Sequence, residues 1–182
     1  MRTQLENDFL RDIQRYVART AVTASAARGQ GARGLVESAR GFLGSMSLGP
    51  FGTRSEKTFR AALNRQTTRM VEVLPPQGRS WGIARKLLNI FLRNALYTTY
   101  LRDRYHLAEA ERWFEVPMDA IVARRILAEM PDVALPRWSG VKHLTPDLNK
   151  NYQIVCNQLA RRRGLCAVHL DAVFWGGREA IS

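Results

Sequence analysis

The sequence predicts an all-α protein: one helical domain with two lobes. Three observations carry that expectation. Trp81 to Leu101 is a long run of helix-favouring residues with no proline and, past Gly82, no glycine. It is apolar almost all the way round, as a helix in the middle of a domain should be. Apolar residues elsewhere recur at helical spacing, with no convincing strand and no internal repeat. The length, 182 residues, suits one domain, and the apolar share of 46% is ordinary for a globular core.

Taken in order, about Thr3 to Ala27 reads as an amphipathic helix. Leu5, Phe9, Ile13, Tyr16, Val17 and Thr20 make its inward stripe, and Arg11, Arg15 and Arg19 mark another face. A basic amphipathic helix can bind a membrane surface; a solvated outer face is the plainer reading. Arg28 to Gly34 is a glycine-rich loop, either a close approach to a phosphate or simply a connection. A short helix over Leu35 to Leu43 is broken by Gly49, Pro50 and Gly52. Thr53 or Ser55 caps a helix over Glu56 to Leu74, with Phe59, Ala62, Leu63, Gln66, Met70 and Val71 inward, and Pro75, Pro76 and Gly78 end it.

The central helix follows. Near its start it carries Arg85, Lys86, Asn89 and Arg93, of which Lys86, Asn89 and Arg93 share one face at i, i+3 and i+7. His106 to Phe114 is helical or irregular. Pro117 restarts the chain, and Asp119 falls at the first turn of a helix to about Met130. There the helix dipole favours a carboxylate, or the side chain caps. A proline-containing connector runs from Met130 to Gly140. Thr145-Pro146-Asp147 starts a helix that ends in Arg161, Arg162, Arg163 and Gly164. Asp171 to Trp175 forms a last short helix, ended by Gly176 and Gly177. The expected division is 1–75 for N-terminal helices, 76–130 for a hairpin and catalytic segment, and 131–182 for helices closing a cleft.

Charge narrows the partners. Lysine plus arginine is 28 against 16 for aspartate plus glutamate, a net charge of +12. That excess favours an anionic partner, nucleic acid first and an anionic membrane surface second. Cys156 and Cys166 do not form C-x-x-C, and two thiolates fall short of a four-cysteine site. They read as reduced, buried thiols of a cytoplasmic protein. His106, His143 and His169 are not at ligand spacing, so neither a metal nor another cofactor is expected. Charges at Glu6, Asp8, Arg11 and Asp12 argue against a signal peptide. No uncharged apolar run reaches the ~18 residues of a membrane span.

Two motifs then point to a chemistry. Gly82-Ile83-Ala84-Arg85-Lys86-Leu87-Leu88-Asn89-Ile90-Phe91-Leu92 resembles the hairpin and second helix of the helix–hairpin–helix DNA glycosylases, G-h-G-R-K-T-A-N-h-h-L with h apolar. Val116-Pro117-Met118-Asp119-Ala120-Ile121-Val122-Ala123-Arg124-Arg125 resembles that family's V-P-V-D-T-H-V-x-R. The spacing 119 − 86 = 33 is similar to that of archaeal 8-oxoguanine glycosylases. The likeness covers about 45 residues, Gly82 to Ile126. It departs at Ala84 for the second glycine, at Ser80-Trp81 for leucine–proline, and at Ala120-Ile121 for threonine–histidine.

The resemblance implies a monomeric enzyme on double-stranded DNA that flips out a damaged or modified base and hydrolyses its glycosidic bond, in repair or in defence against phage with modified DNA. It implies Asp119 as the catalytic carboxylate and Lys86 as the amine that, in members with lyase activity, attacks the sugar. Arg79, Gly82, Arg85 and Asn89 would grip phosphate, the free amides of a helix start helping. Trp81, Trp138 and Trp175 are candidates for stacking on the flipped base. A second register competes. Leu135-Pro136-Arg137-Trp138-Ser139-Gly140-Val141-Lys142 also looks like a hairpin, with Asp171 as carboxylate 171 − 142 = 29 residues later. In the first register Lys142, His143 and Asp171 would instead be DNA or base contacts. The rival function is a non-catalytic DNA-binding protein.

Overall fold

A computed structural model describes residues 2–27 and 33–176. These residues form eight α-helices joined by turns and short 3-10 segments, with no strand among them. The helices are α1 Arg2–Ala21, α2 Leu35–Ser45, α3 Glu56–Val73, α4 Trp81–Tyr97, α5 Thr99–Arg104, α6 Ala120–Glu129, α7 Pro146–Arg162 and α8 Leu170–Gly176. The all-α class is therefore as expected. Most of the glycine-rich loop at 28–32, and Gly177 after the last helix, lie outside the described residues.

Helix starts follow capping chemistry. Ser55, Ser80 and Thr145 each accept a hydrogen bond from the backbone N–H three residues on. Asp119 Oδ1 accepts from both Ile121 and Val122 N–H, at 2.9 and 3.0 Å. Each such cap is worth about 1 kcal/mol. Gly164, at φ +66°, takes the left-handed conformation after α7 that a side chain would resist.

Two helices differ from expectation. The first ends at Ala21, and it buries Leu10, Gln14, Val17, Ala18 and Ala21 while Leu5, Phe9 and Tyr16 stay exposed. The buried Gln14 amide sets this rotation, donating to the carbonyls of Leu43 and Met46 at the end of α2, both at 2.8 Å. The central helix stops at Tyr97 rather than running to Leu101. Thr98 is extended, and its hydroxyl donates to the Asn94 carbonyl at 2.8 Å, a local bond that competes with the helix ladder.

Two hydrophobic cores form. The first is built from α1 to α5 and the 3-10 segment Leu107–Trp113, closing at Phe114 with Val168 added. The second runs from Val116 to Phe174 and joins α6, α7 and α8. The two cores divide at Glu115, and α4 packs on α3 and α1 and also against the turn Val141–His143. The Gln153 amide bridges both backbone groups of Val116 and fixes the crossing strand of chain.

Cys156 is buried as expected, but Cys166 is only half-buried, and both are free thiols. Burial pushes both thiols up from their ordinary value. Among the described residues no helix is long and apolar enough to cross a membrane.

Candidate active site

A cleft of about 720 Å³ lies between the lobes, with one face of α4 as its wall. Lys86, Ile90, Arg93, Asn94 and Tyr97 project into it from that face. The opposite wall is the start of α6 with Asp119, the Gly140-Val141 backbone before α7, and α8 with Asp171 and Trp175. The volume is in the range of small-ligand sites.

Two ion pairs bridge the cleft. Lys86 Nζ lies 3.7 Å from Asp119 Oδ2 and also donates to the Ala26 carbonyl at 3.3 Å. Both side chains are mostly withdrawn from solvent, at 13% and 17% exposure. Because Asp119 Oδ1 is occupied by the two backbone N–H groups of α6, Oδ2 is the oxygen left facing Lys86. Deeper in the cleft Arg93 pairs with the buried Asp171 carboxylate. Arg93 also donates to Asn94 Oδ1 from Nε and Nη2, at 3.2 and 3.0 Å. Burial lowers the Arg93 guanidinium from its ordinary value, and the nearby Tyr97 opposes that shift.

The structure thus brings together Lys86, Asp119 and Asp171 in one cavity, with Trp138 and Trp175 on its lining. Trp138 is held edge-on to Tyr152, with ring centroids 5.6 Å apart. The pairing of the second register is absent: Asp171 faces Arg93, and Lys142 is exposed on the 3-10 turn Val141–His143. His143 is exposed on the same turn, next to the cleft-lining Val141.

Of the residues expected to grip phosphate, Gly82, Arg85 and Asn89 are buried and Arg79 is exposed. Gly82 is buried, and a Cβ there would stand 2.0 Å from the Val141 carbonyl oxygen and 2.7 Å from Leu144 Cβ. Its glycine is needed for close packing of α4 on that turn, not for access to an anion. Arg79 donates to the Leu74 and Glu72 carbonyls, capping the end of α3. Arg85 is buried on the far side of α4, bonded to Thr67 and Asn64 and paired with Glu115 at 3.3 Å. Burial lowers its guanidinium, the Glu115 charge opposing and Arg60 adding. Asn89 is buried beside it, donating to Glu115 at 3.2 Å. Trp81 also faces this side, with the Arg85 guanidinium 4.8 Å from its ring centroid.

The helical period explains the division. Asn89 follows Lys86 by three residues and so stands roughly 60° away round the helix, on the Arg85 side. Arg93, Asn94 and Tyr97, at seven, eight and eleven residues, return to the Lys86 side. That longer stripe is the signal that could have found Tyr97, which the sequence reading missed. Glu115, Glu111 and His169 carry no comparable signal, since each acts only through residues distant in the chain.

Among the described residues no group of three histidine, cysteine or acidic side chains is arranged to hold a metal ion. No protein-family model matches the chain, and no curated protein or solved structure matches it.

Proposed function

We propose that the cleft is the active site of a DNA N-glycosylase, which takes a base flipped out of a duplex and breaks its C1′–N bond. The observation that carries this reading is the Lys86–Asp119 pair, 3.7 Å apart across the inter-lobe cleft. An amine and a carboxylate so placed suit attack on a sugar carbon. The departing base leaves with the electrons of the glycosidic bond, and positive charge builds on the sugar. Asp119 Oδ2 stabilises that charge and takes a proton from the water that adds to C1′. In the lyase variant of the reaction Lys86 first passes a proton to Asp119, and its neutral amine attacks C1′ in place of water.

The remaining lining fits a base. Trp138 and Trp175 offer aromatic planes for stacking. Arg93 offers donors and Asp171 an acceptor to a base edge. A cavity of about 720 Å³ has room for a base with a substituent, in keeping with a damaged or modified base as substrate. The net charge of +12 favours duplex DNA as the partner. Lys142 and His143, exposed at the rim, are the side chains we assign to its phosphates.

The test is incubation with duplexes bearing a panel of oxidised, alkylated and hypermodified bases, scored for abasic sites. Wild type should produce them with at least one duplex, and Asp119→Asn should not. Borohydride should trap Lys86 on abasic DNA if the amine attacks. Salt-sensitive duplex binding with no product from any base would leave a DNA-binding protein and remove the enzyme.

A further inference from the structure

Beyond the two ion pairs, a third polar group sits at the other end of the cleft. Tyr97 is the last residue of α4 and lines the cleft. Its hydroxyl oxygen lies 2.8 Å from His169 Nδ1, and its ring stacks on the imidazole with centroids 5.7 Å apart and planes 12° apart. His169 Nε2 lies 2.7 Å from Glu111 Oε1. The three residues come from separate elements: α4, the 3-10 turn Ala167–His169 and the 3-10 segment Leu107–Trp113. His169 and Glu111 stand behind the tyrosine, outside the cleft lining.

The polarity of this chain follows from the group at its end. An ionised carboxylate only accepts, so Glu111 places the proton of a neutral imidazole on Nε2. Nδ1 is then a lone pair, and the Tyr97 O–H donates to it. The phenol keeps that proton at neutral pH: burial raises it, the Arg93 charge opposes, and Glu111 raises it further. With its one hydrogen committed to His169, the phenol presents only lone pairs to the cleft. Lys86 and Arg93, by contrast, present donors.

We propose that the Tyr97 oxygen, oriented by His169 and Glu111, is a ligand-reading acceptor that selects an N–H or O–H donor at this end of the cleft. Tyr97 and Lys86 are eleven residues apart, roughly 16 Å along the helix axis. The donor it reads is therefore remote from the bond to be cut. Given the glycosylase reading, on which this rests, the substrate is a base bearing an amine- or hydroxyl-carrying substituent and not a bare heterocycle.

Two measurements test it without DNA. Nitrogen-15 spectra of histidine-labelled protein at about pH 8 should show His169 protonated on Nε2 and not on Nδ1, and Glu111→Gln should weaken that preference. A His169 protonated on Nδ1 overturns the proposal. The second uses 9-methyladenine, whose exocyclic amine is its only N–H donor, and its exocyclic dimethylated analogue, which has none. The first should shift the His169 ring nitrogens and bind about three- to tenfold tighter, the span of one neutral hydrogen bond. Tyr97→Phe, which removes only the oxygen, should bring the two ligands level. Equal binding to wild type, or no shift of His169 with either, overturns the proposal. Failure here with base excision intact removes only the Tyr97 role. Failure of excision on every duplex removes the glycosylase, while these readouts still decide what Tyr97 accepts.

Discussion

On the back of α4, Arg85 and Asn89 meet Glu115 in a buried cluster; on its front, Lys86 and Arg93 meet Asp119 and Asp171 across the inter-lobe cavity. Both sides join the lobes through cations and carboxylates, yet they differ in how fully the carboxylate is used. Glu115 Oε1 receives Arg60 at 3.1 Å. Its Oε2 receives Asn89 and Asn149 at 3.2 and 3.1 Å and faces Arg85. Both oxygens are held by protein groups, although the cluster lines a second cavity of about 730 Å³. Asp119 gives one oxygen to the backbone of α6 and leaves the other to a single lysine beside a cavity. The same residue chemistry is structural where it is saturated and available for reaction where it is not.

The largest effect is expected at the back. Glu115→Ala leaves Arg85 buried without its counter-charge and should cost about 3–5 kcal/mol of unfolding free energy, read from urea denaturation. A cost below about 1 kcal/mol, the worth of an exposed pair, would erase the distinction between the two faces. Asp119→Asn makes the opposite prediction. Asparagine caps a helix as well as aspartate does, so stability should change by less than about 1 kcal/mol. Base excision should fall by about 10²–10⁴-fold, the usual worth of a general base. A stability loss matching that of Glu115→Ala would make the front pair structural too.

Smaller effects sharpen the comparison. Gly82→Ala drives a Cβ onto the Val141 carbonyl and should cost about 1–3 kcal/mol, as overpacking does. Its salt-dependent duplex binding should stay as in wild type; weaker binding with unchanged stability would restore Gly82 to a phosphate grip. Lys142→Ala, at the exposed rim, should leave stability alone. It should weaken binding to all duplexes alike and lower the salt slope by about one.

Much of the architecture was legible because helix signals are local. Ser55, Thr145 and Asp119 each announce a helix start through a side chain that bonds within its own first turn. The proline–glycine breaks at 75–78 and the glycine after α7 act through a few residues of backbone. The cleft was legible in part. Lys86 and Asp119 were singled out through the motif likeness, and the structure sets them side by side. The same likeness assigned Arg85, Asn89 and Gly82 to phosphate, and all three are buried. A motif records residue types and spacing, while access to solvent depends on what packs above them, here Glu115 and the Val141–Leu144 turn. Trp81 lines the second cavity and not the one with Lys86, and an aromatic near a cationic helix start gives no sign of which side it serves.

By itself, the sequence determined the all-α class, the order of the helices, most of their ends and the excess of positive charge. These depend on periodicity, capping and composition, which act over a turn or two of chain. Only the tertiary structure decided which side of α4 each polar side chain serves, where the two cores divide, and that Tyr97, His169 and Glu111 form one hydrogen-bonded chain. Those depend on contacts between residues distant in the chain, 55 to 78 positions apart for pairs such as Asp171 with Arg93 and Arg60 with Glu115. No local preference encodes such pairs, because each side chain finds its partner only once the lobes have folded around the central helix.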